Sequence, residues 1–188
     1  MKYDVNQKIN RFAKRTLLAF SEQLISLLEI KALEDITVNE LCKECEYPRA
    51  TFYNYFDDLY DLLNYCFDII SNEMNISNNQ QASVIEIFIC IYDYVAKEKD
   101  KVTRITRNNS IDGSLMEHLR KYMQKKAYDI MKTCPIINDH KIPFDMLVQH
   151  YSQTLMLILE WCFCQKKALT KEEAIQTIES LLGFLERS

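Results

Sequence analysis

Apolar residues recur at steps of three and four along most of this chain, and residues that interrupt helices are rare. The 188 residues include only two Gly and three Pro. A repeat of this kind places apolar side chains on one face of an amphipathic helix, and so few breakers favour long helices over many short strands. The sequence therefore predicts an all-α fold of nine helices, long enough to bury a substantial core.

Several predicted helices have recognisable first turns. Thr37 with Glu40, and Thr170 with Glu173, have the spacing of a capping box, in which each side chain bonds the backbone amide of the other residue. Pro48 suits the first turn of the third helix, because its missing N–H would be unpaired there. The predicted helices lie at about 7–30, 37–45, 48–56, 58–74, 83–98, 101–108, 114–133, 143–162 and 170–185.

Charge is distributed unevenly along the chain. The formal net charge of −4 does not favour DNA binding, but the distribution of charge matters more. The first helix carries Lys8, Arg11, Lys14 and Arg15 on its polar side. A basic first part on an acidic body is compatible with DNA binding at one end and with a partner or ligand at the other. We place the functional boundary just before the fourth helix, between residues 57 and 58.

Residues 36–56 are the most informative segment. They resemble two short helices joined by a tight turn, and the second helix has a polar and aromatic outer side. A recognition helix places its N-terminal part against base edges, where Arg can pair with guanine and Asn with adenine. The N-terminus of the preceding helix favours phosphate oxygens. The candidate DNA contacts are Thr37, Arg49, Ala50, Thr51, Tyr53, Asn54 and Tyr55, with Lys14 on the first helix.

The alternative for this segment is a small helical pair that only packs in a core.

The order of the residues in this segment also resembles that of a known protein family. Thr37-Val-x-x-Leu41, Pro48-Arg-Ala-Thr-Phe-Tyr-x-Tyr-Phe56 and Asp58-x-x-Asp-Leu-Leu63 together resemble the TetR family of bacterial transcription regulators. The resemblance covers roughly residues 8–67. The run Phe56–Leu63 also resembles the low-GC Gram-positive subset that includes regulators of dihydroxyacetone utilisation.

This resemblance implies a homodimer with a TetR-like arrangement of helices. Residues 1–57 would be a three-helix, helix-turn-helix DNA-binding domain, and residues 58–188 would bind a small molecule and dimerise through the last two helices. Phe52 and Phe56 take core positions of the family. The DNA-contacting positions fall on Thr37, Arg49, Thr51, Tyr53, Asn54 and Tyr55.

Two residues depart from the family pattern. Glu46 stands in the turn where Gly is usual, and Glu adopts a left-handed backbone only at a cost. Leu59 stands where a phosphate-binding Lys is usual, flanked by Asp57, Asp58 and Asp61. We therefore expect weak phosphate binding at the start of the fourth helix.

Aromatic residues and methionines on the middle helices are candidates for a ligand cavity, with ordinary core packing as the alternative for each of them. The ligand-binding candidates are Phe67, Phe88, Tyr92, Met116, Met123 and Tyr151. The eighth and ninth helices carry more apolar residues than one buried face can hold. This favours a dimer contact of four helices, made from two copies of each. Ile178 and Leu181 are the residues we expect in that contact.

No residue pattern indicates an enzyme, a metal site or a cofactor. Cys42-x-x-Cys45 has zinc spacing, but both positions fall on the apolar side of their helix, so we expect reduced core thiols. The three His, His118, His140 and His150, lack ligand spacing, and we expect them at the surface or in a dimer contact. The two glycines form no phosphate-binding loop.

The sequence shows neither a signal-peptide core nor a membrane span, so we expect a cytoplasmic protein. The leading hypothesis is a homodimer that binds a palindromic operator in double-stranded DNA and represses, or less often activates, nearby genes. A small-molecule effector would shift it between two states. One alternative is a TetR-like co-regulator with a weakened DNA-binding head that acts through a metabolite or a partner regulator. The other is a helical enzyme or carrier.

Overall fold

The computed structural model of the chain describes residues 11–74, 83–132, 142–165 and 167–182. Every regular element among these residues is a helix, which confirms the predicted all-α fold. The start of the predicted first helix, residues 75–82 between the predicted fourth and fifth helices, and the ends of the predicted seventh and ninth helices lie outside the described residues. The helices are α1 (Arg11–Leu28), α2 (Val38–Glu44), α3 (Arg49–Tyr55), α4 (Leu59–Glu73), α5 (Val84–Lys97), α6 (Lys99–Asn108), α7 (Ser114–Met131), α8 (Phe144–Phe163) and α9 (Lys171–Leu182), with one 3-10 turn at Leu33–Asp35.

The chain divides into two compact units. The first consists of the described part of Met1–Glu73 together with Arg104–His118, and the second of the described parts of Met74–Thr103 and Leu119–Ser188. The first unit therefore extends beyond the predicted 1–57 segment, since it also contains α4 and residues 104–118. The functional boundary at 57/58 stays a prediction.

Aromatic side chains from α1, α3 and α4 form the centre of the first unit. Phe20, Phe52 and Phe56 have no exposed surface. The rings of Phe20 and Phe52 meet edge to face with centroids 5.4 Å apart, and the Phe56 ring lies 5.7 Å from that of Tyr65. Phe52 lies on α3, and Phe56 follows as the residue that caps its C-terminus. Both side chains are buried as predicted, and together they fix α3 against the core.

The second unit has its core between α5, α8 and α9. Phe88, Ile158 and Ile178 are at most 2% exposed and belong to one cluster. Our placement of Ile178 in a dimer contact was wrong, because its side chain is already buried within its own chain. The helix α5 buries only two of its residues, Phe88 and Ile91.

The predicted first turn of α2 forms only in part. The hydroxyl of Thr37 accepts the N–H of Glu40 at 3.2 Å, as a capping residue should. The Glu40 carboxylate does not reach back to Thr37, however. It accepts from Nζ of Lys31, with a distance of 2.6 Å to Oε1, so the second half of the predicted capping box is replaced by an ion pair to the preceding loop.

Other helix starts follow local chemistry closely. The Thr170 hydroxyl accepts the N–H of Glu173 at 3.2 Å, and the Glu173 carboxylate accepts the N–H of Thr170 at 2.9 Å, which confirms this capping box. Ser83 and Glu86 form a further capping box that we did not predict. Pro48 precedes α3 as its N-cap residue rather than lying in the first turn. None of the described helices has the length and apolar character that crossing a membrane requires.

Candidate nucleic-acid interface

The predicted helix pair is present as α2, a tight turn and α3. The turn satisfies the last carbonyls of α2 with two bonds, from the N–H of Glu46 to Lys43 O at 3.2 Å and from the N–H of Tyr47 to Cys42 O at 3.0 Å. These bonds define a Schellman motif, in which the residue after the cap has a left-handed backbone. The Tyr47 ring then packs on Phe20 with centroids 5.4 Å apart, so the turn is anchored in the core.

Glu46 occupies the left-handed position of this turn. Its φ is 57°, and it is the only non-glycine residue with a positive φ in the described part of the chain. An L-residue in this conformation brings Cβ too close to the following carbonyl oxygen, at a cost of about 1–2 kcal/mol. The expected left-handed conformation at Glu46 is confirmed, and the turn carries backbone strain that Gly would not have.

The two sides of α3 have opposite surroundings. Phe52 is fully buried, whereas Arg49, Ala50 and Asn54 are exposed and Tyr53 is 39% exposed. Thr51 and Tyr55 are half-buried, and the Tyr55 side chain packs against the core cluster. Four of the six candidates on α3 are therefore exposed, and their contact with DNA stays a prediction.

Arg49 and Tyr53 lie one helical turn apart and contact each other. A terminal N–H of the Arg49 guanidinium donates to the Tyr53 hydroxyl at 3.5 Å, and the guanidinium carbon lies 5.8 Å from the ring centroid. The hydrogen bond to Tyr53 raises the pKa of Arg49 above its usual range. These contacts restrict a cation and a phenol to one edge of α3, where both can approach a ligand together.

The two remaining candidates, Thr37 and Lys14, lie outside α3. Thr37 is exposed at the start of α2, with its hydroxyl oxygen already engaged by the N–H of Glu40. Lys14 is exposed on α1, as are Arg11 and Arg15. The four exposed α3 candidates thus share one helix face, whereas Lys14 and Thr37 each belong to a different helix.

Acidic side chains surround this segment. Glu44 and Glu46 are exposed next to the turn. Asp58 caps α4, because its Oδ1 accepts the N–H of Asp61 at 2.8 Å. Leu59, at the position where the sequence resemblance leads one to expect a lysine, is half-buried and packs on the core cluster. The start of α4 therefore presents carboxylates rather than a cation.

The predicted ligand-binding residues do not fall in one unit. Phe67 and Met116 belong to the first unit, and the other four to the second. Phe88 belongs to the core cluster of the second unit, and Tyr92 and Tyr151 are partly buried and pack against it. Burial raises the pKa of Tyr92, but core packing accounts for Phe88, which has no exposed surface.

Cys42 on α2 and Cys45, the residue that caps its C-terminus, face inward as expected. Cys42 is buried, and the Cys45 thiol donates to Ala19 O at 3.5 Å. Burial raises the pKa of Cys45 to about 11, so this thiol is not a reactive thiolate at neutral pH. Cys90 on α5 is exposed.

The histidines have different surroundings. His118 stacks on the Tyr60 ring with centroids 4.6 Å apart, and His150 is exposed on α8. His140 lies outside the described residues. Across the described ranges, no three His, Cys, Asp or Glu side chains are grouped as metal ligands would be.

Comparisons with models of protein families and with curated protein sequences gave no match to this chain.

Proposed function

We propose that this chain is a DNA-binding transcription regulator of the TetR type, acting as a repressor whose operator binding is modulated by a small molecule. The observation that carries the proposal is the division of α3 into two sides. Phe52 holds one side in the core, which leaves Arg49, Ala50, Tyr53 and Asn54 exposed on the other. A short helix that is anchored behind and polar in front has the build of a recognition helix.

The proposed protein is a homodimer that pairs through α8 and α9. In favour of this, Met146, Leu157 and Trp161 on α8 are 60%, 50% and 47% exposed, and Leu181 on α9 is 49% exposed. The three α8 residues recur at intervals of 11 and 4, which places them along one stripe of the helix. A second copy would cover such a stripe, and two-fold pairing would allow two α3 helices to reach major grooves about 34 Å apart.

The decisive experiment is a selection of bound duplexes from a random oligonucleotide pool, followed by affinity measurements at several salt concentrations. The wild-type chain should enrich a palindromic sequence. Arg49→Ala and Tyr53→Ala should each lower the affinity for that sequence by a factor of about 5 to 150, by loss of contacts worth about 1–3 kcal/mol. Both variants should keep the melting temperature of the wild type, because both side chains are exposed.

Lys125→Ala is the matched control for Arg49→Ala. It also removes one positive charge, from an exposed position on α7 in the second unit, so its effect should be uniform across sequences and small. If Arg49→Ala and Lys125→Ala weakened binding equally, the assignment of α3 to the DNA groove would be wrong.

A second proposal, a co-regulator with a weakened DNA-binding head, is favoured by the acidic surroundings of α3. Glu46 and Asp58 are exposed near α3, and Leu59 provides no cation. Such a protein would act through a metabolite or a partner regulator and would not select an operator. Failure of the wild-type chain to enrich any duplex, together with capture of a second regulator from the same genome, would favour this proposal over the first.

A further inference from the structure

A buried asparagine joins two distant segments of the first unit. Asn109 follows α6 and is only 3% exposed. Its Oδ1 accepts the N–H of Leu33 at 2.9 Å. Its Nδ2 faces three carbonyl oxygens, those of Ile105 at 2.9 Å, Leu28 at 3.3 Å and Lys31 at 3.4 Å. One side chain therefore fixes the backbone between α1 and α2 at three residues that are more than 70 positions away in sequence.

Neighbouring residues add further bonds between the same two segments. The Asn108 amide donates to Glu29 O at 2.8 Å, and Nε of Arg104 pairs with the Glu29 carboxylate at 2.6 Å. Glu34 then accepts the N–H of Ser114 at 2.9 Å, at the first residue of α7. We call residues 28–34 the head loop, and the segment 104–114 its clasp.

The head loop is in turn bonded to α2. Lys31 donates to the Glu40 carboxylate in the first turn of α2 and to Asp35 O at 3.2 Å. The head loop is thus held by the clasp on one side and holds the start of α2 on the other. Because α2 and α3 are joined by the tight Schellman turn, fixing the first turn of α2 also limits the orientations open to α3.

We propose that Asn109 is a positioning residue for DNA recognition, which sets the orientation of α2 and α3 through the head loop. This inference rests on the proposed function, since the orientation matters only if α3 meets DNA. Its consequence is that the DNA-binding unit of this chain is discontinuous in sequence and includes residues 104–114. Asn109 itself does not touch the nucleic acid.

The test compares the full-length wild type with Asn109→Asp, which keeps the shape and the acceptor toward Leu33 but places a carboxylate oxygen against three carbonyls. Amide hydrogen exchange should become at least about tenfold faster in the head loop and α2, because buried polar groups left without a hydrogen-bond partner favour local opening by about this factor. Exchange in α8 and α9 should not change. Affinity for the selected duplex should fall at least about tenfold at a temperature where the variant remains folded.

Ser21→Ala is the matched control. Ser21 is another buried polar residue of this unit, and its hydroxyl donates to Leu17 O within α1. This variant should leave exchange in α2 and the affinity for DNA as in the wild type. Should Asn109→Asp not fold, Glu34→Ala takes its place, with Glu34→Gln as its control because the amide oxygen still accepts from Ser114.

The two arms of the experiment separate the inference from the proposed function. Faster exchange confined to the head loop, α2 and α3, together with weaker DNA binding, supports the positioning role. Exchange that is unchanged, or that accelerates equally in α8 and α9, overturns it, as does full DNA affinity in a variant whose head loop has loosened. If the wild type selects no duplex, the proposed function fails, and the exchange arm alone decides whether Asn109 orients α2 and α3.

Discussion

Replacing Glu46 by Gly tests whether the turn between α2 and α3 carries strain. An L-residue pays about 1–2 kcal/mol for the left-handed conformation, which Glu46 has with φ at 57°. Gly removes this strain, but it also gives the unfolded chain more freedom, which costs about 0.4–1 kcal/mol. The net stabilisation should be about 1 kcal/mol, or a rise in Tm of about 2–4 °C for a chain of this size.

The assay is urea unfolding and thermal melting of three chains: the wild type, Glu46→Gly and Glu46→Ala. The Ala variant removes the same carboxylate but keeps Cβ, so it keeps the strain and should melt within about 1 °C of the wild type. Glu44→Gly is a position control, because Glu44 ends α2 in a helical conformation, where Gly should destabilise by up to about 1 kcal/mol.

The same variants separate strain from charge in DNA binding. Both Glu46→Gly and Glu46→Ala remove a negative charge that would face phosphates, so both should raise the affinity for duplex DNA equally, and more at low salt. Only Glu46→Gly should raise Tm. Equal stabilisation by Ala and Gly would refute the strain argument, because a shared effect would have to come from the charge.

Three further predictions concern the core, the pH dependence and the proposed dimer. Phe52→Ala should lower the free energy of unfolding by about 4 kcal/mol in urea titrations. Phe12→Ala, at an 85% exposed position, should change it by less than about 0.5 kcal/mol. Equal losses of unfolding free energy in the two variants would contradict the burial of one side of α3. Hydrogen bonds from Thr170 lower the pKa of Glu173 below its usual value of 4.5. The wild type should therefore be more stable than Glu173→Gln above pH 4.5 and should lose this advantage as the pH falls through the lowered pKa. A difference in unfolding free energy that stays constant between pH 6 and pH 3 would contradict this prediction. Leu157→Glu should raise the dimer dissociation constant, measured by sedimentation, at least about a hundredfold, because it would bury an unpaired charge in the proposed interface. The variant should stay folded, whereas Ile178→Glu should unfold the chain. Gln124→Glu on α7 is the charge control, and an intact dimer of Leu157→Glu would exclude α8 from the interface.

Local features of the fold could be predicted because their causes lie within a few residues. Phe52 on α3 and Phe56 at its C-terminal end lie four residues apart, and both are buried in the same core. The Thr170 to Glu173 spacing is sufficient for two reciprocal bonds within one turn. Glu46 follows the same logic, since a Schellman turn requires one left-handed residue after the cap, and the bonds of the turn run over only a few positions.

Features that depend on distant segments could not be predicted in the same way. The bonds of Asn109 span more than 70 residues, and an asparagine after a helix looks locally like an ordinary loop residue. Ile178 and Leu181 illustrate the same limit, because both continue the apolar pattern of α9. Periodicity gives the apolar side of a helix, but only the packing of α8 shows that Ile178 lies inside its own chain and Leu181 outside.

The charges around α3 bear on how this chain would hold DNA. Lys43 and Arg49 are exposed on the helix pair, and so are Glu44 and Glu46, so their formal charges cancel. Because sequence-independent affinity grows with the number of phosphates that cations neutralise, the helix pair alone supplies little of it. The remaining exposed cations near the start of the described chain are those of α1, namely Arg11, Lys14 and Arg15. A regulator built this way must gain its operator affinity from base contacts along α3 together with α1, and its salt dependence should be correspondingly shallow; a co-regulator needs neither.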